Sequence, residues 1–386
     1  MTEIACPDDR WAWVEIDLSA LKKNVRAFRA QIDPRVRMMC VVKADAYGHG
    51  AVRCAKEMAK ADAQQFAVAT VKEGVELRRA GIEEPILMLA QPPVTAVDTL
   101  VGYDIMPSVY TSDFALAYGE AAAAAGKVGK YHLAIDSGMN RIGVRPEDAV
   151  EFRRSIDFHR GLECAGTFTH FATADVPDDW DFVLQARRFS DTVHALKAAG
   201  FSCGLVHCDN TPGTILHKEL QMDMCRVGVG LYGMQPAEST APYISLEPVM
   251  SVKARITRVT MPEVGEGVGY GMTYRIPYKG MQIATVNIGY ADGLSRLLSN
   301  NMDVLVHGKR CQQVGKICMD QFMFAADAPG AHTLGNAVPL SEGDVVTVLG
   351  RDGQEEITAD EMADRRHTIN YEVTCDFGLR LEKLYV

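Results

Sequence analysis

The chain has no basic region: 40 Lys and Arg stand against 50 Asp and Glu, for a formal charge of −10 over 386 residues. An acidic chain with scattered cations has no general attraction for nucleic acid or an anionic membrane. No uninterrupted apolar run approaches the roughly 18–20 residues of a membrane span. The opening MTEIACPDDRWAW lacks a basic stretch followed by an apolar one, so no secretory signal is read and a cytoplasmic location is expected. None of the ten cysteines lies in a CxxC; the nearest pair, Cys203 and Cys208, has four residues between its members. Zinc sites use tighter pairs or nearby histidines. No metal site is expected, and the cysteines read as reduced, mostly buried thiols. Internal repeats and low-complexity linkers are also missing.

What remains is a soluble, two-domain composition, with 47% apolar and 23% charged residues. Eight short apolar runs occupy 37–43, 65–70, 85–90, 104–110, 131–136, 162–170, 203–208 and 225–233. Runs this short and this apolar suit strands buried on both faces. Amphipathic or alanine-rich stretches alternate with them, at 51–61, 71–81, 121–126 and 181–200, and 18–32 precedes the first. Several end at glycine, as helices do. Eight alternations predict an N-terminal (β/α)8 TIM-type barrel over 12–245. Beyond it the pattern turns to period 2 with Asp-Gly turns, at 251–260, 281–293, 302–311 and 344–354. That predicts a C-terminal, mainly antiparallel β domain over 246–386, with residues 1–11 packing on it.

Functional groups of such a barrel sit at the C-terminal ends of its strands. Lys43 closes the first run after Met39–Val42. A desolvated lysine loses proton affinity and suits Schiff-base chemistry; a lysine snorkelling from a strand end fits the same position. The last two runs end in Asp209, Asn210, Thr211, Gly213, Gly228 and Gly230, small and polar residues of the kind that bind phosphate in barrels. Ordinary loops would look similar. Lysine and phosphate subsite together are what pyridoxal 5′-phosphate (PLP) requires.

Eight strings carry a resemblance over nearly the whole chain: VVKADAYGHG, DSGMNRIG, THFATAD, RVGVGLYG, VGYGMTY, IGYADG, VGKICMDQ and TINYEV. In content, order and spacing they resemble the alanine racemase family. The resemblance implies a PLP enzyme acting on L-alanine and D-alanine, supplying D-alanine for peptidoglycan, as a homodimer with active sites at the interface. It implies that Lys43 holds PLP as a Schiff base and is the catalytic base for one isomer, with Tyr270 of a second copy the base for the other. Tyr47, Thr211, Tyr371 and the backbone at Gly228 and Val229 would hold the phosphate, with Asn210 in the same loop. Arg226 would face the pyridine nitrogen, and His170 would stack behind it. Arg141 and, across the interface, the backbone of Met319 would bind the substrate carboxylate, and Tyr290 and Tyr371 would narrow the entrance. A tyrosine, ordinarily titrating near pH ~10, needs a positive charge or hydrogen-bond donors to act as a base; His170 and Arg226 are the expected sources.

Two positions depart from the family pattern. Ala134 stands where many members have a lysine that orients the arginine matching Arg141. Arg141 must then be held by a bound anion such as chloride or by a neighbour, Asn140 being nearest in sequence. Pro212 removes one backbone N–H from the phosphate loop. Alternatives differ in chemistry: a racemase of another small amino acid such as serine, a same-fold decarboxylase, or a PLP-binding protein without catalysis. The decarboxylases carry a triple glycine, and none occurs here.

Overall fold

The computed structural model describes residues 11–176, 178–326, 338–378 and 380–386. Two compact units make up the chain: Ala20–Glu247, and the segment ending at Ser19 together with Pro248–Val386. The first described strand, β1 (Ala12–Ile16), belongs to the second unit. The next eight strands form the barrel of the first: β2 (Arg37–Val41), β3 (Gln65–Val68), β4 (Ile86–Met88), β5 (Ile105–Val109), β6 (Gly129–Ala134), β7 (Leu162–Phe168), β8 (Leu205–His207) and β9 (Met224–Val227).

All neighbouring pairs in this sheet are parallel, in the order β8-β7-β6-β5-β4-β3-β2-β9. Each falls within or against one of the eight apolar runs, and β3, β4, β5 and β9 are buried at every position. Between β8 and β9 the ladder is carried by a few bonds. The Asp223 amide donates to Val206 O at 2.9 Å, and the Arg226 amide to Asp209 O at 3.1 Å. The Asp223 carboxylate takes the Val206 amide at 2.8 Å. A side chain thus supplies an acceptor the strand lacks there.

The helices form for local reasons as well as by packing. Helix Ala51–Lys60 buries Ala51, Cys54, Ala55 and Met58, a stripe of helical period. Helix Val71–Arg79 starts in a capping box made by Thr70 and Glu73. Helix Trp180–Ala198 is capped by Asp179, which accepts from the amides of Asp181 and Phe182.

The second unit contains β10 (Met250–Thr260), β11 (Gly267–Val268), β12 (Tyr274–Arg275), β13 (Ile283–Val286), β14 (Asp303–Val306), β15 (Lys309–Val314), β16 (Phe322–Ala325), β17 (Val345–Asp352), β18 (Glu355–Ile357) and β19 (Glu382–Tyr385). Antiparallel pairing runs β14-β15-β16-β13-β10-β17 and back to β14, a closed circuit without free edges. β1 joins antiparallel along Met250–Ala254 and pairs parallel with β19. The sequence places residues 12–19 with the barrel, and the structure places them here. The amides of β1 have partners on both sides in this unit, which fixes the assignment. Residues 1–10 lie outside those described, so their expected packing does too.

Among the described residues, no helix is long and apolar enough to cross a membrane. No group of three or more His, Cys, Asp or Glu there could hold a metal ion. No disulfide joins the nine described cysteines, seven of which are buried.

Candidate active site

Lys43 follows β2 by two residues, at the C-terminal mouth of the barrel. The chain then winds the wrong way. Ala44, Asp45, Ala46 and Tyr47 have φ of 52°, 52°, 56° and 55°. A left-handed turn costs a non-glycine residue about 1–2 kcal/mol, so four in a row need outside support. The Asp45 carbonyl takes the Gly50 amide at 2.8 Å, and its carboxylate takes the Ala51 amide at 2.7 Å. Asp45 thereby ties the turn to the start of helix Ala51–Lys60.

A cavity of about 240 Å³ opens beside the lysine, lined by Lys43, Ala134, Asp136, Arg141, Phe168 and His170 among others. A larger cavity, about 630 Å³, lies at the opposite mouth among Arg37, Gln65, Asp104, Lys130 and Glu163. It contains none of the residues selected from sequence. The smaller one lies at the mouth that the C-terminal rule selects, with Lys43, Arg141 and His170 in its wall.

Arg226, in β9, is fully buried. Its Nη1 donates to His207 Nδ1 at 2.9 Å. Nη2 donates to the carbonyls of Thr169 at 2.7 Å and Cys208 at 3.1 Å, and lies 3.5 Å from His170 Nδ1. Nε is the guanidinium nitrogen these bonds leave uncommitted within the barrel. Burial lowers the Arg226 pKa to about 10, which leaves it charged at neutral pH. His170 is lowered to about 3 by burial, then by Arg226, Arg141 and Lys43. The imidazole is therefore neutral. Of the two residues expected to assist a phenolate, only Arg226 brings a charge.

Gly228 lies between Thr211 and Tyr47, with Val229 next in the chain. The Gly228 amide donates to the Thr211 hydroxyl at 2.9 Å. A Cβ on Gly228 would lie 2.5 Å from the Tyr47 hydroxyl oxygen, so the close approach requires glycine. Asn210 is committed elsewhere: its Oδ1 caps helix Thr211–Leu216 by accepting from Gly213 N at 3.1 Å, and Nδ2 donates to Phe171 O at 3.4 Å. Pro212 sits in the first turn of that helix, where a missing N–H leaves no internal bond unmade.

The loop carrying Arg141 is built on Asp136. Its carboxylate accepts from the amides of Gly138 and Asn140, at 3.2 and 2.9 Å, and from Arg145 at 3.3 Å. Asn140 Oδ1 accepts from Arg145 Nη1 at 2.9 Å, and its amide nitrogen donates to Gly138 O at 3.3 Å. Asn140 therefore braces the loop rather than the Arg141 guanidinium, which corrects the sequence expectation. Ala134 lines the cavity with Arg141 and leaves space where a longer side chain would stand.

The remaining predicted residues lie in the β unit. Tyr270 is 70% exposed, on the turn between β11 and β12, with Gly269 and Gly271 at φ 67° and 72°. Met272, Tyr290, Met319 and Ile369 are exposed too. Tyr290 and Met319 belong to two loops held together: the Tyr290 amide donates to Cys318 O and that of Ala291 to Met319 O, both at 3.0 Å. Arg380 reaches both loops, at 3.3 Å from Asp292 and 2.9 Å from Asp320. Tyr371 lies in the first turn of helix Asn370–Asp376, whose end comes so close that a Cβ on Gly293 would meet Asp376 O at 2.2 Å. Tyr290, Met319 and Tyr371 thus lie on loops and a helix that pack against one another within the β unit.

The residues at the barrel mouth fit PLP: a primary amine on the cavity wall, a buried guanidinium that can only donate, and a cradle of backbone and hydroxyl groups that admits no Cβ. Such a mouth, joined in one chain to a closed antiparallel unit, defines a two-domain barrel enzyme with amine chemistry. The chain belongs to the alanine racemase family: that family's N-terminal domain matches residues 16–236 and its C-terminal domain residues 249–385. It is 40% identical to the alanine racemase of Nostoc sp. over 379 residues, 97% of this chain and 96% of that one. The structure of alanine racemase from Clostridium difficile 630 superposes with a TM-score of 0.91 at 35% identity, covering 98% of this chain and 96% of that one. A histidine racemase from Leuconostoc mesenteroides is similar at 28% identity and a TM-score of 0.87, covering 99% of each chain.

Proposed function

We propose that this protein interconverts L-alanine and D-alanine with PLP on Lys43, as a homodimer whose second copy supplies Tyr270. The observation that carries the reading is the shared cavity: Lys43 and Arg141 line the same space of about 240 Å³. An amine and a carboxylate-binding guanidinium that close together suit a small amino acid.

Lys43 would hold PLP, with Tyr47, Thr211, Gly228, Val229 and Tyr371 around its phosphate and Arg226 Nε toward its ring nitrogen. Bound PLP supplies the electron sink that makes an amino acid's α-proton removable. Arg226 has no proton it can release at neutral pH and no lone pair to offer, so it would leave the ring nitrogen unprotonated. That keeps the sink shallow and limits side reactions. Arg141 fixes the substrate carboxylate. The Met319 carbonyl is taken by Ala291, and its N–H has no partner among the described residues; in the second copy it is the donor offered to the same carboxylate across the interface. Lys43 Nζ carries the proton on one face of the substrate carbon and Tyr270 Oη on the other. Burial keeps His170 neutral, so it offers hydrogen bonds without a competing charge.

Support for the dimer comes from the apolar side chains of Tyr270, Met272, Tyr290, Met319 and Ile369, all exposed on a single chain. Tyr290 and Tyr371 at the entrance favour alanine over bulkier substrates. A cytoplasmic role in supplying D-alanine for peptidoglycan rests on the family alone.

The test is to incubate the purified holoprotein with L-alanine in deuterated water. Optical rotation should decay to zero as the α-position fills with deuterium. Release of CO₂, or retention of rotation and α-protium, would overturn the reading.

A further inference from the structure

Behind Arg226 two buried histidines form a line through the barrel interior. Arg226 Nη1 lies 2.9 Å from His207 Nδ1, and His207 Nε2 lies 2.8 Å from His132 Nδ1. All three side chains are at least 97% buried. His132 also borders the cavity at the opposite mouth, so the line spans the barrel from one end toward the other.

Its polarity is forced. A guanidinium donates and cannot accept. His207 Nδ1 must therefore accept, and the single proton of a neutral imidazole must sit on Nε2. That proton faces His132 Nδ1, which must accept in turn. Burial holds both rings neutral, His132 at about 3 and His207 well below its ordinary 6.5. Each ring then has one donor and one acceptor and a single consistent arrangement.

From this we infer that His132 is a positioning residue for the isomerisation: by accepting from His207 Nε2 it stabilises the one His207 tautomer that can hold the guanidinium of Arg226. The inference rests on the functional reading above for what Arg226 does, though not for the geometry.

Two features of the sheet point the same way. The pairing of β6 with β7 slips between Tyr131 and His132: Tyr131 faces Cys164, His132 faces Gly166, and Ala165 is passed over. Bulges of this kind re-aim a side chain. Opposite the ring is a glycine, where a Cβ would lie 2.4 Å from His132 Nδ1 and 2.8 Å from Leu205 O. A strand interior is an unfavourable place for glycine. Both departures from a regular sheet make room for one imidazole. Stability alone does not require it, because a buried hydrogen-bonded pair can be replaced by apolar groups of the same shape at little cost. Arg226 has a use for it. Its other bonds inside the barrel are mainly to carbonyls, and His207 is the side chain that holds Nη1. His207 is itself locked flat against Phe168, with ring centroids 5.1 Å apart and planes 8° apart, and the guanidinium lies over the same ring at 5.3 Å. A ring so confined cannot turn to present its other nitrogen. Only the proton can move; Arg226 requires it on Nε2, and His132 gives it an acceptor there.

The test compares His132→Leu with His132→Asn. Asn places an oxygen near the position of Nδ1 and can accept; Leu cannot. Side-chain ¹⁵N NMR of the wild-type chain without cofactor should show His207 as the neutral Nε2–H tautomer. His132→Asn should keep that tautomer and most of the activity. His132→Leu should shift it, lower kcat about tenfold with KM for alanine within about twofold, as loss of one buried hydrogen bond remote from the substrate predicts, and alter the cofactor's absorption spectrum. An Nδ1–H tautomer of His207 in the wild type overturns the inference. So does a folded His132→Leu with unchanged kcat and spectrum, or a folded His132→Asn as impaired as His132→Leu. If His132→Leu does not fold, the wild-type tautomer and His132→Asn decide. A wild-type holoprotein inactive on alanine would remove the functional reading while the NMR result still judged the hydrogen-bonded line.

Discussion

The backbone amide of Ala44, next to Lys43, donates to Glu73 Oε1 at 2.8 Å. Glu73 also takes the amides of Ala69 and Thr70 through Oε2, at 2.8 and 3.0 Å. One carboxylate in the first turn of a neighbouring helix thus anchors the start of the left-handed turn. Glu73→Ala is expected to lose about 1–2 kcal/mol of stability, combining a lost cap with a released turn. It should also weaken PLP retention, whereas Glu73→Gln, which keeps an acceptor, should fall between. Urea melts and dialysis against cofactor-free buffer would measure both. Wild-type retention by Glu73→Ala would show that the turn needs no clamp.

Gly228→Ala addresses the phosphate cradle. The added methyl would press on the Tyr47 hydroxyl oxygen at 2.5 Å, its ring carbon at 3.3 Å and Val41 at 3.6 Å. Overpacking by one methyl costs about 1–3 kcal/mol, so the PLP dissociation constant should rise about tenfold to a hundredfold. Fluorescence titration reads this directly. Unchanged affinity would place the phosphate elsewhere.

Arg145→Ala removes the bridge between Asp136 and Asn140 in the loop that presents Arg141. Asn140 holds a left-handed conformation, φ 56°, that its neighbours maintain. The side chain of Arg145 is 42% exposed, so the effect is modest: KM for alanine should rise roughly threefold with kcat nearly constant. A fall in kcat without a change in KM would contradict the loop's role in binding carboxylate.

Stability should depend on pH through groups of opposite sense. Burial raises Asp209 from 3.8 to about 7. Between those values the folded chain keeps a proton the unfolded chain has released, so this group lowers stability as pH rises. Burial lowers His132 and His170 from 6.5 to about 3. Between those values the unfolded chain binds protons the folded chain does not, so their contribution is complete above 6.5 and is lost as pH falls toward 3. Asp209→Asn should therefore gain about 1–3 kcal/mol over the parent above pH 7 and converge with it below 3.8. Melts at several pH values would show the crossing; a constant offset would mean that Asp209 does not titrate in this range.

Much of the architecture was legible because burial on both faces writes continuous apolar runs. Each of the eight runs overlaps a barrel strand, and the stretch at 181–200 covers helix Trp180–Ala198 within two residues. β1 was not legible. AWVEI was counted with the barrel over 12–245, and its partners lie at 250–254 and 382–385, too far along the chain for local pattern to reveal. Helices Ala359–Arg366 and Asn370–Asp376 were also passed over, being short and largely polar. At the site, motifs picked out Lys43, Arg141 and His170 in the cavity wall but missed the side chains behind them. His132 and His207 look like any histidine in an apolar strand, and only the fold reveals that they touch. Asn140 and Asn210 were assigned by proximity in sequence, yet their side chains are spent on the backbone and on Arg145.

A turn wound against the natural hand has one more implication. The ten residues around Lys43 do not encode their own shape, because in isolation their backbone would relax to right-handed or extended forms. The reactive amine is aimed only when the neighbouring helix and strand are already in place. Grafting VVKADAYGHG into another scaffold would transplant the letters without the geometry, and a fragment of this chain would present an ordinary, undirected lysine.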